Sequence, residues 1–465
     1  MRNITVADGE TRASLASGFR RWPRGLRVYV AVHGLWLAMY AFLGKGFAYA
    51  GWPPLFAGEL LLLFALVALF ATGRIGVLLT TPLGILMGCF LAWQVICTAP
   101  YLEAFGLDSL RDSAIWGYAA FGLITAALVL RLPGFLEVAV RRYRRFARLY
   151  LFLGPAAWLA TLYLRDWLPR WPDTAVTVPL IKAGEFCVHL AGILAFVLSG
   201  LSRSNQWWVF LILSDAMLAI SARGGLLALL GASCFIILLR PRLERLLIVL
   251  TAGLMIVVAM AAFDVRFDLQ GTSRELSLDQ LSFSLTSIVG DSQRSDLEGT
   301  KNWRLNWWRA IRDYTVNGPY FWTGKGYGIN LANSDGFPAG TRDEPLRSPH
   351  NSHVTFLARS GVPGFVLWAT LQITWGGLML DSYLRARRLH LAFWSGFFAW
   401  VLTYWIAFMV SAGFDVFLEG PMAGIPFWSV FGLGWGGQIS FQSLAGLRRP
   451  QSHSTAGSTP IYAHQ

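Results

Sequence analysis

Charged residues are scarce in this sequence, at 14% of 465 positions, against a hydrophobic share of 55% and a mean hydropathy of +0.49. That scarcity excludes an ordinary soluble domain, which needs more polar surface at this length. Cysteine is scarcer still: Cys89, Cys97, Cys187 and Cys234 all fall inside apolar runs. Neither a disulfide framework nor paired metal-ligand spacing can be read from them. The segment 264–349 has no dense carboxylate or histidine cluster, no Gly-x-Ser-x-Gly elbow and no phosphate-binding loop ending in Gly-Lys-Ser/Thr. Hydrolase and ATPase readings are therefore weak, and no metal or cofactor is expected. The formal charge of +13 would suit nucleic acid only on a contiguous basic face. The cations instead form short clusters between apolar runs, so no nucleic-acid partner is expected.

What is present is a series of apolar runs of about 16 to 24 residues, each able to cross roughly 30 Å of hydrocarbon. They lie near 26–47, 55–72, 75–99, 113–132, 149–164, 180–202, 207–222, 224–240, 245–263, 360–383, 391–411 and 424–446. The expected fold is all-α, a polytopic membrane protein of about 12 transmembrane helices with a large, partly helical external loop. The first run is long enough to remain as an anchor. Basic clusters occupy alternate connections: Arg20, Arg21, Arg24 and Arg27 before the first run, Arg141 to Arg148, Arg240 to Arg245, and Arg385 to Arg388. The opposite connections are poor in cations, so both termini are expected in the cytoplasm and 264–349 outside. The expected divisions are 1–25 (cytoplasmic), 26–263 (about nine spans), 264–349 (external loop domain), 350–446 (about three spans) and 447–465 (a disordered cytoplasmic tail).

The loop has ten basic and eleven acidic side chains, the mixed balance of a folded surface. Thr300 is expected to cap a helix in which Arg304, Trp307, Trp308 and Ile311 form one stripe, with Asn302, Asn306, Arg309 and Asp313 opposite. The cation in that aromatic stripe needs an anionic partner, whether a ligand or an internal ion pair, unless it stacks on tryptophan. Gly324-Lys325-Gly326-Tyr327-Gly328 and Gly336 to Gly340 read as turns whose backbone can approach a ligand.

Arg223, in Ser221-Ala222-Arg223-Gly224-Gly225, is an external cation at the edge of a span. It can bind phosphate of a ligand or of surrounding lipid. In Ser348-Pro349-His350-Asn351-Ser352-His353, Ser348 is expected as N-cap and Pro349 as the first helical residue. His350 would then lie in the first turn, where the positive helix end favours a neutral imidazole that accepts a proton; His353 competes for that role. Two arginines and a base at an outer membrane face suggest a lipid-linked phosphate donor and an acceptor hydroxyl. Within the membrane, Lys182, Glu185 and His189 share a face of the sixth span and Asp215 lies in the seventh, as a pairing network or a transport path. An anionic-solute transporter is therefore a second reading.

At these residues the sequence resembles the O-antigen ligase and polymerase superfamily of bacterial envelope glycosyltransferases. The resemblance rests on Ser221 to Gly225 opening a span, Arg304 with Trp307 and Trp308, Gly324 to Gly328, and Pro349-His350-Asn351 followed by Gly361-Val362-Pro363-Gly364. It implies a glycosyltransferase C-like enzyme of the inner membrane, metal-independent and inverting, with a periplasmic site. The implied donor is undecaprenyl-diphosphate-linked O-antigen and the implied acceptor is a sugar of lipid A–core oligosaccharide. On matching positions, His350 would be the general base and Arg223 and Arg304 would bind the donor diphosphate, with Asn351, His353 and Lys325 in supporting roles. A polymerase or a protein O-oligosaccharyltransferase would keep the donor chemistry and change the acceptor.

Overall fold

A computed structural model describes residues 22–52, 55–172, 174–202, 223–240, 295–339 and 346–444, with isolated positions among 208–276 and at Gly446. Nearly all of the regular structure is helical: α1 Arg24–Leu43, α2 Ala57–Thr72, α3 Pro82–Thr98, α4 Leu107–Gly117, α5 Ala119–Arg131, α6 Phe135–Tyr163, α7 Ala183–Leu198, α8 Arg223–Leu239, α9 Ser295–Val316, α10 Ser352–Arg388, α11 Ala392–Ala412 and α12 Pro421–Leu444. Two antiparallel pairs, Gly51–Trp52 with Leu55–Phe56 and Phe267–Asp268 with Glu275–Leu276, are the strands among the described residues.

Local chemistry sets the boundaries. Thr81 accepts a hydrogen bond from the Gly84 N–H and Pro82 takes the first helical position, so the expected run 75–99 divides into a short helix, Ile75–Leu79, and α3. Gly73 ends α2 in the left-handed conformation. On α2, Leu60, Leu63, Val67 and Phe70 recur on one face and stay exposed, as side chains that meet lipid would. On α12, Gly432 and Gly436 leave room for α5: a Cβ at Gly432 would lie 2.3 Å from the Gly122 carbonyl oxygen, and one at Gly436 2.9 Å from that of Ala126. Small residues four apart thus let two backbones touch where hydrophobic burial offers little net drive.

Five helical stretches among the described residues are long and apolar enough to cross a membrane: Arg24–Leu43, Pro82–Phe105, Leu107–Arg131, Ser352–Arg388 and Ala392–Ala412. Three shorter apolar helices, Ala57–Thr72, Ala183–Leu198 and Gly224–Leu239, join them. The chain is an all-α membrane protein. The expected runs 207–222 and 245–263 lie largely outside the described residues, as does the tail after Gly446. Two expectations need correction. The basic stretch Arg141 to Arg148 is part of α6 rather than a loop, because its arginines alternate with apolar residues at helical spacing. Lys182 does not lie within the sixth helix; it precedes α7 with extended backbone.

Candidate functional site

Helix α9 begins at Ser295, so Thr300 is an interior residue and not its cap. The stripe behaves as its spacing predicts: Trp307 and Ile311 are fully buried, whereas Asn302, Asn306, Arg309 and Asp313 are exposed. Trp307 and Ile311 join Leu331, Ala332 and Ala358 in a small core separate from that of the bundle. This fixes the loop to the start of α10. Asp335, 1% exposed at its side chain, organises the interior by accepting from Trp307 Nε1 (2.7 Å), Tyr314 Oη (3.2 Å) and Lys325 Nζ (2.6 Å). Lys325 therefore balances a buried carboxylate and lies over the Tyr314 ring, 4.5 Å from its centroid.

The glycine motif packs against protein, where the sequence suggested approach to a ligand. Lys325 and Gly326 donate their N–H groups to the carbonyls of Ala358 and Arg359 (2.8 and 3.0 Å), and Val362 donates to Phe321 (2.8 Å). Gly324, Gly326 and Gly361 all have positive φ. A Cβ at Gly326 would fall 2.0 Å from the Tyr101 ring, and one at Gly361 2.4 Å from the Phe321 carbonyl oxygen. The break at Gly361 in α10 exposes backbone groups that the loop then satisfies. Below it, Asp112 accepts from Arg347 Nη2 (2.8 Å) and Arg359 Nη2 (3.0 Å), and Arg359 is 2% exposed. These groups lock the loop onto the bundle.

His350 is not in the first turn of α10. Asn351 is the N-cap, its Oδ1 accepting from the N–H groups of His353 and Val354 (3.0 and 3.1 Å), and helix begins at Ser352. An asparagine at this place outcompetes Ser348 because its carbonyl reaches both free N–H groups. His350 stands just ahead with φ of 52°, a backbone conformation costly for a side-chain-bearing residue and common at functional sites. Neighbours hold it there. Trp308 Nε1 donates to the Pro349 carbonyl (2.8 Å), and Ser348 Oγ donates to Glu419 Oε2 (2.8 Å).

The turn between α11 and α12 is where the parts meet. His350 Nδ1 lies 3.3 Å from Asp415 Oδ1, and Lys182 Nζ lies 3.3 Å from Asp415 Oδ2. Val416 N–H also donates to Asp415 Oδ1 (2.8 Å). Burial would raise the Asp415 pKa, but Lys182 and the hydrogen bond with His350 outweigh it and hold the group below the ordinary carboxylate range. An ionised Asp415 keeps the proton on His350 Nδ1 and leaves Nε2 as the acceptor. One residue away, the Phe414 carbonyl accepts from Arg304 Nη1 (2.9 Å). A Cβ at Gly224 would fall 2.8 Å from Phe414 Cβ, so the start of α8, which opens with Arg223, packs on the same turn. The side chain of Arg223 lies outside the described residues.

His353 is engaged elsewhere: Nε2 lies 3.0 Å from the Met409 carbonyl and Nδ1 accepts from Trp368 Nε1 (3.2 Å), so both ring nitrogens have partners. His189 pairs with Tyr404 Oη (2.7 Å), while Glu185 and Asp215 are buried. Sequence reasoning missed Asp415 and Glu419. Their signal was present, because 412–423 is a short connection with two carboxylates and no cation.

An α-helical membrane protein with a histidine, a carboxylate and an arginine gathered at one end of its bundle has the parts for acid–base chemistry beside an anion. Residues 208–369 match the family model described as O-antigen ligase, which supports membership of the O-antigen ligase superfamily. No curated protein matches the chain.

Proposed function

We propose that this protein transfers polysaccharide from undecaprenyl diphosphate to a sugar hydroxyl of lipid A–core at the periplasmic face of the inner membrane. The observation that carries the reading is the meeting of His350, Arg304 and the start of α8 at one turn, Phe414 to Glu419. The acceptor hydroxyl gives its proton to His350 Nε2 as its oxygen attacks the anomeric carbon. The bond from that carbon to the diphosphate oxygen breaks, the configuration inverts, and undecaprenyl diphosphate departs. Arg304 and Arg223 hold the charge that collects on the leaving diphosphate, and Asp415 steadies the imidazolium. No metal is assigned a step. In this reading both termini face the cytoplasm and 264–349 is the periplasmic loop domain.

The test is an acceptor panel. Purified full-length protein receives one undecaprenyl-diphosphate-linked glycan with lipid A–core, a second lipid-linked glycan, or an acceptor protein in turn. Glycosylated lipid A–core is the expected product. Extension of the second glycan, or modification of the protein with lipid A–core untouched, would make it a polymerase or a protein glycosyltransferase instead. The pairing of Lys182 with Asp415, outside α7, favours the enzyme reading over the transporter alternative.

A further inference from the structure

The described residues line a cavity of about 400 Å³ between α1, α5, α6, α7, α11 and α12, within the size range of small-molecule sites. Its wall is mostly apolar, with Leu37, Leu128, Phe146 and Leu433 among its residues, and none of the described lining residues is a carboxylate. Arg142 belongs to the wall and donates to the Val30 carbonyl from Nη1 (3.1 Å). On the same helix, Arg141, Arg144, Arg145 and Arg148 flank it in a basic cluster. At the rim, Ala31, Gly34 and Leu35 are exposed on the flank of α1. A Cβ at Gly34 would meet only Arg142 Nη1, at 3.7 Å, so the missing side chain leaves a window beside the guanidinium.

We infer that this cavity is a resident lipid site, in which an acyl chain of an anionic phospholipid enters past Gly34 and its phosphate pairs with Arg142. Charge complementarity selects the occupant: an apolar slot with an arginine and no carboxylate among its described lining residues suits a lipid tail bearing an anionic head. Deeper in, the Thr125 hydroxyl is buried with no hydrogen-bond partner among the described residues and can donate to an ester oxygen. His33 and His189 are already bonded, to Tyr29 and Ser429 and to Tyr404. The site is not that of the transferred glycan's carrier. From Val30 to Gly44, which bridges Leu180 near Lys182, α1 rises about 20 Å, so a phosphate at Arg142 cannot also reach His350.

Native mass spectrometry of the detergent-purified full chain, incubated with phosphatidylglycerol or phosphatidylcholine, tests this. Wild type should retain phosphatidylglycerol at least tenfold more tightly than phosphatidylcholine. Arg142→Gln should abolish that preference, Arg142→Lys should keep it, and Gly34→Trp should lower retention of the anionic lipid. Added phosphatidylglycerol should raise the thermal midpoint of wild type and Arg142→Lys but not of Arg142→Gln, which also reads whether each variant is folded. Equal retention of the two lipids by wild type, an unchanged preference in folded Arg142→Gln, or displacement of phosphatidylglycerol by undecaprenyl phosphate would overturn the inference.

Discussion

Asp415 decides what His350 can do. A carboxylate that stays ionised fixes which imidazole nitrogen carries the proton, and a wrong tautomer leaves a base unable to act even when its ring is in place. Asp415→Asn should therefore lower the turnover of glycan transfer by roughly 100- to 10,000-fold while the KM for donor changes little, measured on purified protein. The same residue has a stability consequence. Its pKa is held down in the folded state, so its contribution is complete above the unfolded carboxylate pKa of about 4 and is lost as pH falls through the lower folded value. The difference in thermal midpoint between wild type and Asp415→Asn should be largest near neutrality and shrink on acidification. Arg304 acts by shape as well as charge. Arg304→Lys keeps the cation but loses the planar fork that can bond the Phe414 carbonyl and a phosphate together, so a raised KM for donor is expected in steady-state assays.

At the level of elements, the loop and α10 are one construction. Gly326 has φ of 75° and the Tyr101 ring against its α-carbon, so Gly326→Ala should cost about 1–3 kcal/mol from backbone strain alone, read as a lower unfolding midpoint in detergent. Hydropathy located most of the helices because a membrane leaves the backbone little alternative to intrahelical bonds. The stripe on α9 was legible for a similar reason: a single face must be apolar to fold onto anything. The start of α10 was not. Ser348, Asn351 and Ser352 are all competent caps, and the choice rests on Trp308 and Glu419, which reach the segment from elsewhere in the chain. The purpose of Gly324 to Gly328 was misread because a glycine needed for close approach looks the same whether a ligand or another helix approaches.

Across the whole molecule, charges far apart in sequence are joined where the loop meets the bundle. Asp112, 6% exposed at its side chain, balances Arg347 and Arg359. Removing it takes the paired carboxylate from buried Arg359 and leaves Arg347 with Asp108 alone, so Asp112→Ala should destabilise the fold by about 3–5 kcal/mol, read by unfolding in detergent. Pairing of this kind cannot be read from one sequence, and neither can the meeting of Lys182, His350 and Asp415, since nothing in local spacing links them. The most direct measurement is a double-mutant cycle on glycan transfer, with purified wild type, His350→Ala, Asp415→Asn and the double variant given the same lipid-linked donor and acceptor. The expected result is near-complete loss in His350→Ala, with no further loss when Asp415→Asn is added. Normal transfer by folded His350→Ala, or independent and additive losses from the two changes, would contradict it.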